Sequence, residues 1–158
     1  MQSVTILVDV QNIYYTSRQA YGKSFDYNAF WAAITAGRKV DKAIAYAIDR
    51  GDDKQRQFQN ILRAIGFEVK LKPFIQRADG SAKGDWDVGI TLDAIEYGQH
   101  SDVLVLASGD GDFALLAERL ISKYQTEVEV YGVPSLTAQA LVNAASRFIA
   151  IDQQLLLG

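Results

Sequence analysis

The chain has 158 residues, is 49% hydrophobic and 22% charged, and carries a formal net charge of −3. These values suit a single domain over residues 1–158 with a sizeable core, and they exclude a disordered chain. The absence of cysteine excludes disulfides, zinc–thiolate sites and thiol nucleophiles; no apolar run is long enough to span a bilayer and Met1 to Val10 does not read as a signal peptide, so the expectation is a cytoplasmic protein with no membrane partner.

Taken in order, Ser3 to Val8 is a β-rich first strand ended by Asp9. Asn12 to Ala20 reads as a helix running to a break at Gly22. Asp26 is an N-cap for a helix from Tyr27 to about Ala36, with Phe30, Ala33 and Ile34 inward. Gly37 ends it, and Val40 to Ile48 is the second strand. Asp52 or Asp53 caps a helix to Ile65, with Phe58, Ile61, Leu62 and Ile65 at helical spacing and Gly66 as its stop. Phe67 to Lys72 alternates apolar with charged, as a half-exposed strand near a sheet edge does, and Pro73 suits that edge. Gln76 to Gly84 is the most loop-like stretch. Trp86 to Tyr97 returns to helical spacing through Val88, Leu92 and Ile95. Asp102 to Ala107 is almost wholly apolar, the mark of a central parallel strand. A helix over Asp112 to Tyr124, a strand over Glu127 to Tyr131, a helix over Leu136 to Ala145 and a short strand over Phe148 to Ile151 complete the chain. Strand and helix alternate throughout, which predicts an α/β fold: a three-layer α/β/α sandwich with a central, mainly parallel sheet.

In such a sheet the carboxyl ends of the strands share one edge, and ligands bind there. Asp9 ends the first strand; Ser108 to Phe113, reading SGDGDF, follows the central one and brings Asp110 and Asp112 to the same edge. Asn12 lies in the first turn after Asp9, where it can hold a phosphate oxygen or a metal-bound water. Asp87 opens the helix from Trp86. Four carboxylates and an amide, with a single His in the chain, are hard oxygen donors that suit Mg²⁺ or Mn²⁺. Ser108 can hydrogen-bond an acid or a phosphate, and Lys83 can pair with a phosphate or hold the acids together. Each acid has a second reading: Asp9 and Asp112 also stand where helix caps stand, and Asp85 competes with Asp87 for the helix start. Asp93, mid-helix, reads as a non-ligand.

Charge is segregated along the chain. Arg38 to Lys83 holds 11 basic and 6 acidic residues, whereas Asp85 to Glu129 holds 10 acidic and 2 basic. A polyanion on the first and cations on the second is the functional reading of that split; two solvated faces is the other. The candidates for contact with a polyanion are Arg50, Lys54, Arg56, Lys72 and Arg77, with Lys70 beside them; singly, such residues are more often solvated. Tyr14 and Tyr15 are suited to stacking on bases, to core packing or to a subunit contact.

Together and in this order, DVQN at Asp9 to Asn12, KGDWDV at Lys83 to Val88 and SGDGDF resemble the NYN domain family, and within it the bacterial LabA-like branch. The resemblance covers nearly the whole chain, including SRFIAID at Ser146 to Asp152. It implies a PIN-like (Rossmannoid) fold with a parallel sheet of about five strands and an acidic Mg²⁺ or Mn²⁺ pocket at the strand ends. By motif match Asp9, Asn12, Asp87, Asp110 and Asp112 carry over as the catalytic site, Asp9, Asp87, Asp110 and Asp112 as metal ligands, and Ser108 as support. In KGDWDV the pair Asp85 and Trp86 stands where the family has a short small-or-apolar step. The activity implied is a metal-dependent endoribonuclease acting on RNA; a non-catalytic RNA-binding or regulatory module that keeps the pocket is the alternative. A phosphatase is disfavoured because no Asp-x-Asp follows the first strand, and a dinucleotide fold because no GxGxxG does. The edge at Phe67 to Lys72 and the apolar tail Leu155 to Leu157 are the candidates for a homodimer contact, with covering of the core as the other reading of each.

Overall fold

Strand β1 (Gln2–Asp9) is the pivot of the sheet in the computed structural model, which describes residues 1–73, 75–76, 82–83 and 85–158. On one side β1 pairs with β2 (Arg38–Asp49), which pairs with β3 (Glu68–Pro73) at the edge. On the other it pairs with β6 (Val103–Ala107), followed by β7 (Glu127–Gly132) and β8 (Arg147–Ala150). Two short strands, β4 (Ile75–Gln76) and β5 (Ala82–Lys83), form a separate antiparallel pair within the stretch read as a loop. The main sheet therefore runs β3-β2-β1-β6-β7-β8, all parallel. It has six strands where the family resemblance implied about five.

Helices α1 (Val10–Tyr21), α2 (Tyr27–Thr35) and α3 (Asp53–Ile65) cover one face. Their inward residues Ile13, Phe30, Ile34 and Leu62 meet Val4, Ile6, Val8, Ala43, Ala45 and Val105 of the strands. Helices α4 (Asp87–Gly98), α5 (Ala114–Tyr124) and α6 (Gln139–Ala144) cover the other, over Leu7, Ile44, Leu104, Leu106 and Val128. The expected three-layer α/β/α sandwich is the fold observed.

Local chemistry sets most boundaries. Asp26 Oδ1 accepts from Ala29 N–H at 3.0 Å and starts α2. Asp52 Oδ1 accepts from Gln55 N–H at 2.8 Å, so Asp52 rather than Asp53 is the cap of α3. Three expectations are corrected. The inner face of α4 is Ile90, Ala94 and Gly98, while Val88 and Leu92 are 70% and 63% exposed. Gly98 is there because the helix lies close to the sheet: a Cβ on it would stand 3.4 Å from Leu104 Cδ1. Ile61 of α3 likewise points outward. Finally, α5 begins at Ala114, after a 3-10 turn over Gly111–Phe113, and α6 follows a similar turn over Pro134–Leu136.

The apolar tail is partly folded back. Leu155 and Leu156 are buried in the core beside α2, and Asp26 N–H donates to Leu155 C=O at 2.8 Å; Leu157 stays exposed.

Candidate metal centre

The connection from β1 runs toward one edge of the sheet and the connection from β6 toward the other. Between these two strands the strand order reverses, which leaves a crevice outside their carboxyl ends. Asp9 closes β1 at that crevice. Its carboxyl is buried, accepts from Asn12 N–H at 3.4 Å as the cap of α1, and accepts from Ser108 Oγ at 3.1 Å. Burial pushes it up to about 6, against the lowering hydrogen bonds of Ser108 and Asn12 and with the charges of Asp110 and Asp85 adding to the rise.

Ser108 is the link between strands. Its Oγ donates to Asp9 and accepts from Asp110 N–H at 3.2 Å. Asn12 is a second link: its Oδ1 accepts from Gly109 N–H at 2.8 Å, tying α1 to the loop after β6. Gly109 also accepts at its carbonyl from Ala138 N–H at 3.0 Å. A Cβ on Gly109 would lie 2.7 Å from Leu136 O, and one on Gly111 2.8 Å from Ala138 Cβ. The glycines of SGDG thus make room for the turn before α6, a need that no local pattern in the sequence shows.

Asp110 Oδ1 accepts from Asp112 N–H at 2.9 Å, so the cap of the 3-10 turn is Asp110 and not Asp112. Asp87, in the first turn of α4, reaches the same place. Carboxylate oxygens of Asp87, Asp110 and Asp112 lie within 4.8 Å of one another. Partial burial, then a hydrogen bond and repulsion from Asp110, then the charges of Asp85 and Asp9, push the Asp87 carboxyl up to about 7. Among the described residues no ion pair neutralises any of the three. Asp9 stands behind this triad rather than in it, joined through Ser108.

Asp87 is aimed by its neighbour. Trp86 Nε1 donates to Ala47 C=O at the end of β2, at 2.9 Å, and its ring lies 5.3 Å from that of Tyr46. Gly89 leaves space for the indole, since a Cβ there would sit 2.6 Å from Trp86 Cε3. With Trp86 turned to the sheet, Asp87 faces the triad, and Asp85 stays exposed and accepts from Asp87 N–H at 3.2 Å. Nothing local in the sequence marks this anchor beyond a Trp in an unexpected place.

The basic candidates divide. Lys70 is spent on Asp93, at 2.7 Å, and Asp93 also accepts from Tyr46 Oη at 2.8 Å. Lys72 Nζ lies 4.6 Å from the centre of the Trp86 ring and donates to Asp85 C=O at 3.1 Å. Arg56 lies 3.6 Å from Asp53 on the exposed side of α3. Arg50 and Lys54 border a groove on the α1–α3 side, with Tyr14 and Tyr15. Arg77 and the side chain of Lys83 lie outside the described residues.

The chain matches the family model of the NYN domain over residues 3–152. It is 28% identical over 157 residues to the low amplitude and bright protein LabA of Synechococcus elongatus, covering 94% of this chain and 83% of that protein. It superposes on the crystal structure of a protein of unknown function from Vibrio parahaemolyticus with a TM-score of 0.94 and 60% identity, covering 99% of this chain and 96% of that one. No helix of the described residues is long and apolar enough to cross a membrane.

Proposed function

The chain belongs to the NYN domain family as a LabA-like protein, and on that premise we propose that it is a ribonuclease dependent on Mg²⁺ or Mn²⁺. The observation that carries the reading is the triad: three carboxylates within 4.8 Å, at the reversal point of the sheet, with no cation paired to them among the described residues. Such a group is repulsive by itself, and a divalent ion relieves it. The donors are all oxygen, which suits Mg²⁺ or Mn²⁺ and not zinc or copper. Asp87, Asp110 and Asp112 would hold the ion. When bound, such an ion supplies an activated water and stabilises the leaving oxygen of a phosphodiester.

The remaining roles belong to the chain itself. Asp9, buried and pushed up to about 6, is held behind the triad by the Ser108 hydroxyl and adds negative charge to the pocket when ionised. Ser108 fixes the spacing of Asp9 and Asp110, and Asn12 holds the Gly109 peptide in place. No side-chain nucleophile is required.

The test is cleavage of a single-stranded RNA with added Mn²⁺. Asp110→Asn keeps the capping ability of the side chain, so the fold is retained while a charge is removed. Mn²⁺-stimulated cleavage should fall at least about a hundredfold in this variant, the scale on which losing a key electrostatic group acts. Equal activity in wild type and variant would assign the cleavage to a contaminant.

A further inference from the structure

On the face opposite α4, a groove of about 970 Å³ opens between α1, the start of α2, α3 and the end of β2. Its volume lies at the upper end of the range typical of small-molecule sites. Two nearly buried polar side chains line it: Gln59 at 5% exposure and Tyr27 at 9%. Among the described residues neither the Gln59 amide nor the Tyr27 hydroxyl has a hydrogen-bond partner; Ser17 Oγ is the one partnerless side-chain polar atom there that is sealed from the surface, so these two groups open to the groove. Polar groups this deep take their hydrogen bonds from water or from a ligand in the groove. Tyr14 and Tyr15, each about half exposed, form the aromatic lip, and Arg50 and Lys54 stand at the rim.

We propose that this groove is a nucleobase pocket, in which one base of an RNA strand stacks at Tyr14 and Tyr15, meets Gln59 and Tyr27 with its polar edge, and places its phosphate toward Arg50 and Lys54. An amide that both donates and accepts, next to a phenol, suits the edge of a base. Stacking on an aromatic lip is the usual partner of that recognition. Burial, with the Asp9 charge second, holds the Tyr27 phenol up, which keeps it a donor. The groove borders the first-strand end of the site: Val10, which lines it, directly follows Asp9, whose carboxyl is bonded to Ser108. The assignment of the occupant as RNA rests on the ribonuclease reading, for which the groove supplies base preference.

The experiment titrates the full chain in EDTA with the four nucleoside 5′-monophosphates and with inorganic phosphate, followed by two-dimensional NMR. One nucleotide should bind in preference to the others, with shifts centred on Tyr14, Tyr27 and Gln59. Tyr27→Phe and Gln59→Leu should each weaken it about 2–10-fold, the effect of one hydrogen bond. Their thermal midpoints should equal or exceed that of wild type, since each removes an unpartnered polar group; a merely structural role would lower them. The proposal is overturned if no nucleotide shifts these residues, if inorganic phosphate reproduces the shifts, or if both variants bind as wild type does. Nucleotide binding without Mn²⁺-stimulated cleavage sinks the ribonuclease reading alone. Cleavage with no effect of the two variants on nucleotide affinity sinks the groove alone.

Discussion

Asp9 and Asp87 set how the pocket responds to acid. An acid whose carboxyl is raised on folding binds more protons folded than unfolded between its ordinary value of 3.8 and its raised value. Stability then falls as pH rises through that window, here from about 4 to about 6 for Asp9 and about 7 for Asp87. In EDTA, the thermal midpoint of wild type minus that of Asp87→Asn should grow more negative between about pH 5 and about pH 7.5, and Mn²⁺ should reverse the trend. A flat difference would mean that Asp87 is not held up by its neighbours. Ser108 is the second residue to test. Its buried hydroxyl serves two partners, so Ser108→Ala leaves both the Asp9 carboxyl and the Asp110 N–H short of one bond. The expected cost is about 1–3 kcal/mol by urea unfolding, and a value near zero would show that water replaces the hydroxyl.

At the scale of elements, α4 carries the least legible part of the site. Its sequence holds apolar residues on two faces, and Val88 and Leu92 are exposed while Ile90 is buried. Close packing on the sheet selects Ala94 and Gly98, and small residues leave a weak hydrophobic signal. Trp86 was equally silent, because its partner Ala47 C=O lies 39 positions away on another strand. By contrast Asp9, Asp26 and SGDGDF were readable, since a cap or a turn acts within three residues. Topology alone brings Asp9 and Asp110 to one sheet edge, whereas Asp87 against Asp85 stayed open in the sequence. What topology left open was the division between a triad and a buried acid behind it, which depends on side-chain bonds to Ser108 and Asn12. Trp86→Phe tests the anchor. It keeps an aromatic ring but loses the bond to β2, and Mn²⁺ affinity by calorimetry should drop about tenfold, as for groups that support metal ligands. Unchanged affinity would mean that the α4 start is held by other contacts.

For the whole molecule, the division of charge along the chain is partly cancelled in space. Arg38 pairs with Glu129 at 2.9 Å, Lys42 with Glu68 at 3.3 Å and Lys70 with Asp93 at 2.7 Å. Those pairs interrupt the basic stretch as a track for a polyanion; Arg50 and Lys54 border the groove, and Arg56, 3.6 Å from Asp53, lies beyond its rim. Single-strand binding should then depend on salt with a slope of about −1.4 to −2 in log K against log salt, for two or three phosphates neutralised. A slope steeper than about −4 would require a surface that these pairings deny.

The pairing of β1 with β6 has a consequence for synthesis. Asp9 and Ser108 are 99 positions apart, and β2 can cover only one flank of β1. At roughly 5–20 residues per second, the second flank waits about 5–20 s for β6 to be made. During that interval a nascent chain exposes an apolar strand edge next to a carboxyl that has no hydroxyl to meet. The seam on which the pocket is built thus closes only after two thirds of the chain has been made, and until then its open strand edge is a place where a growing chain needs a chaperone.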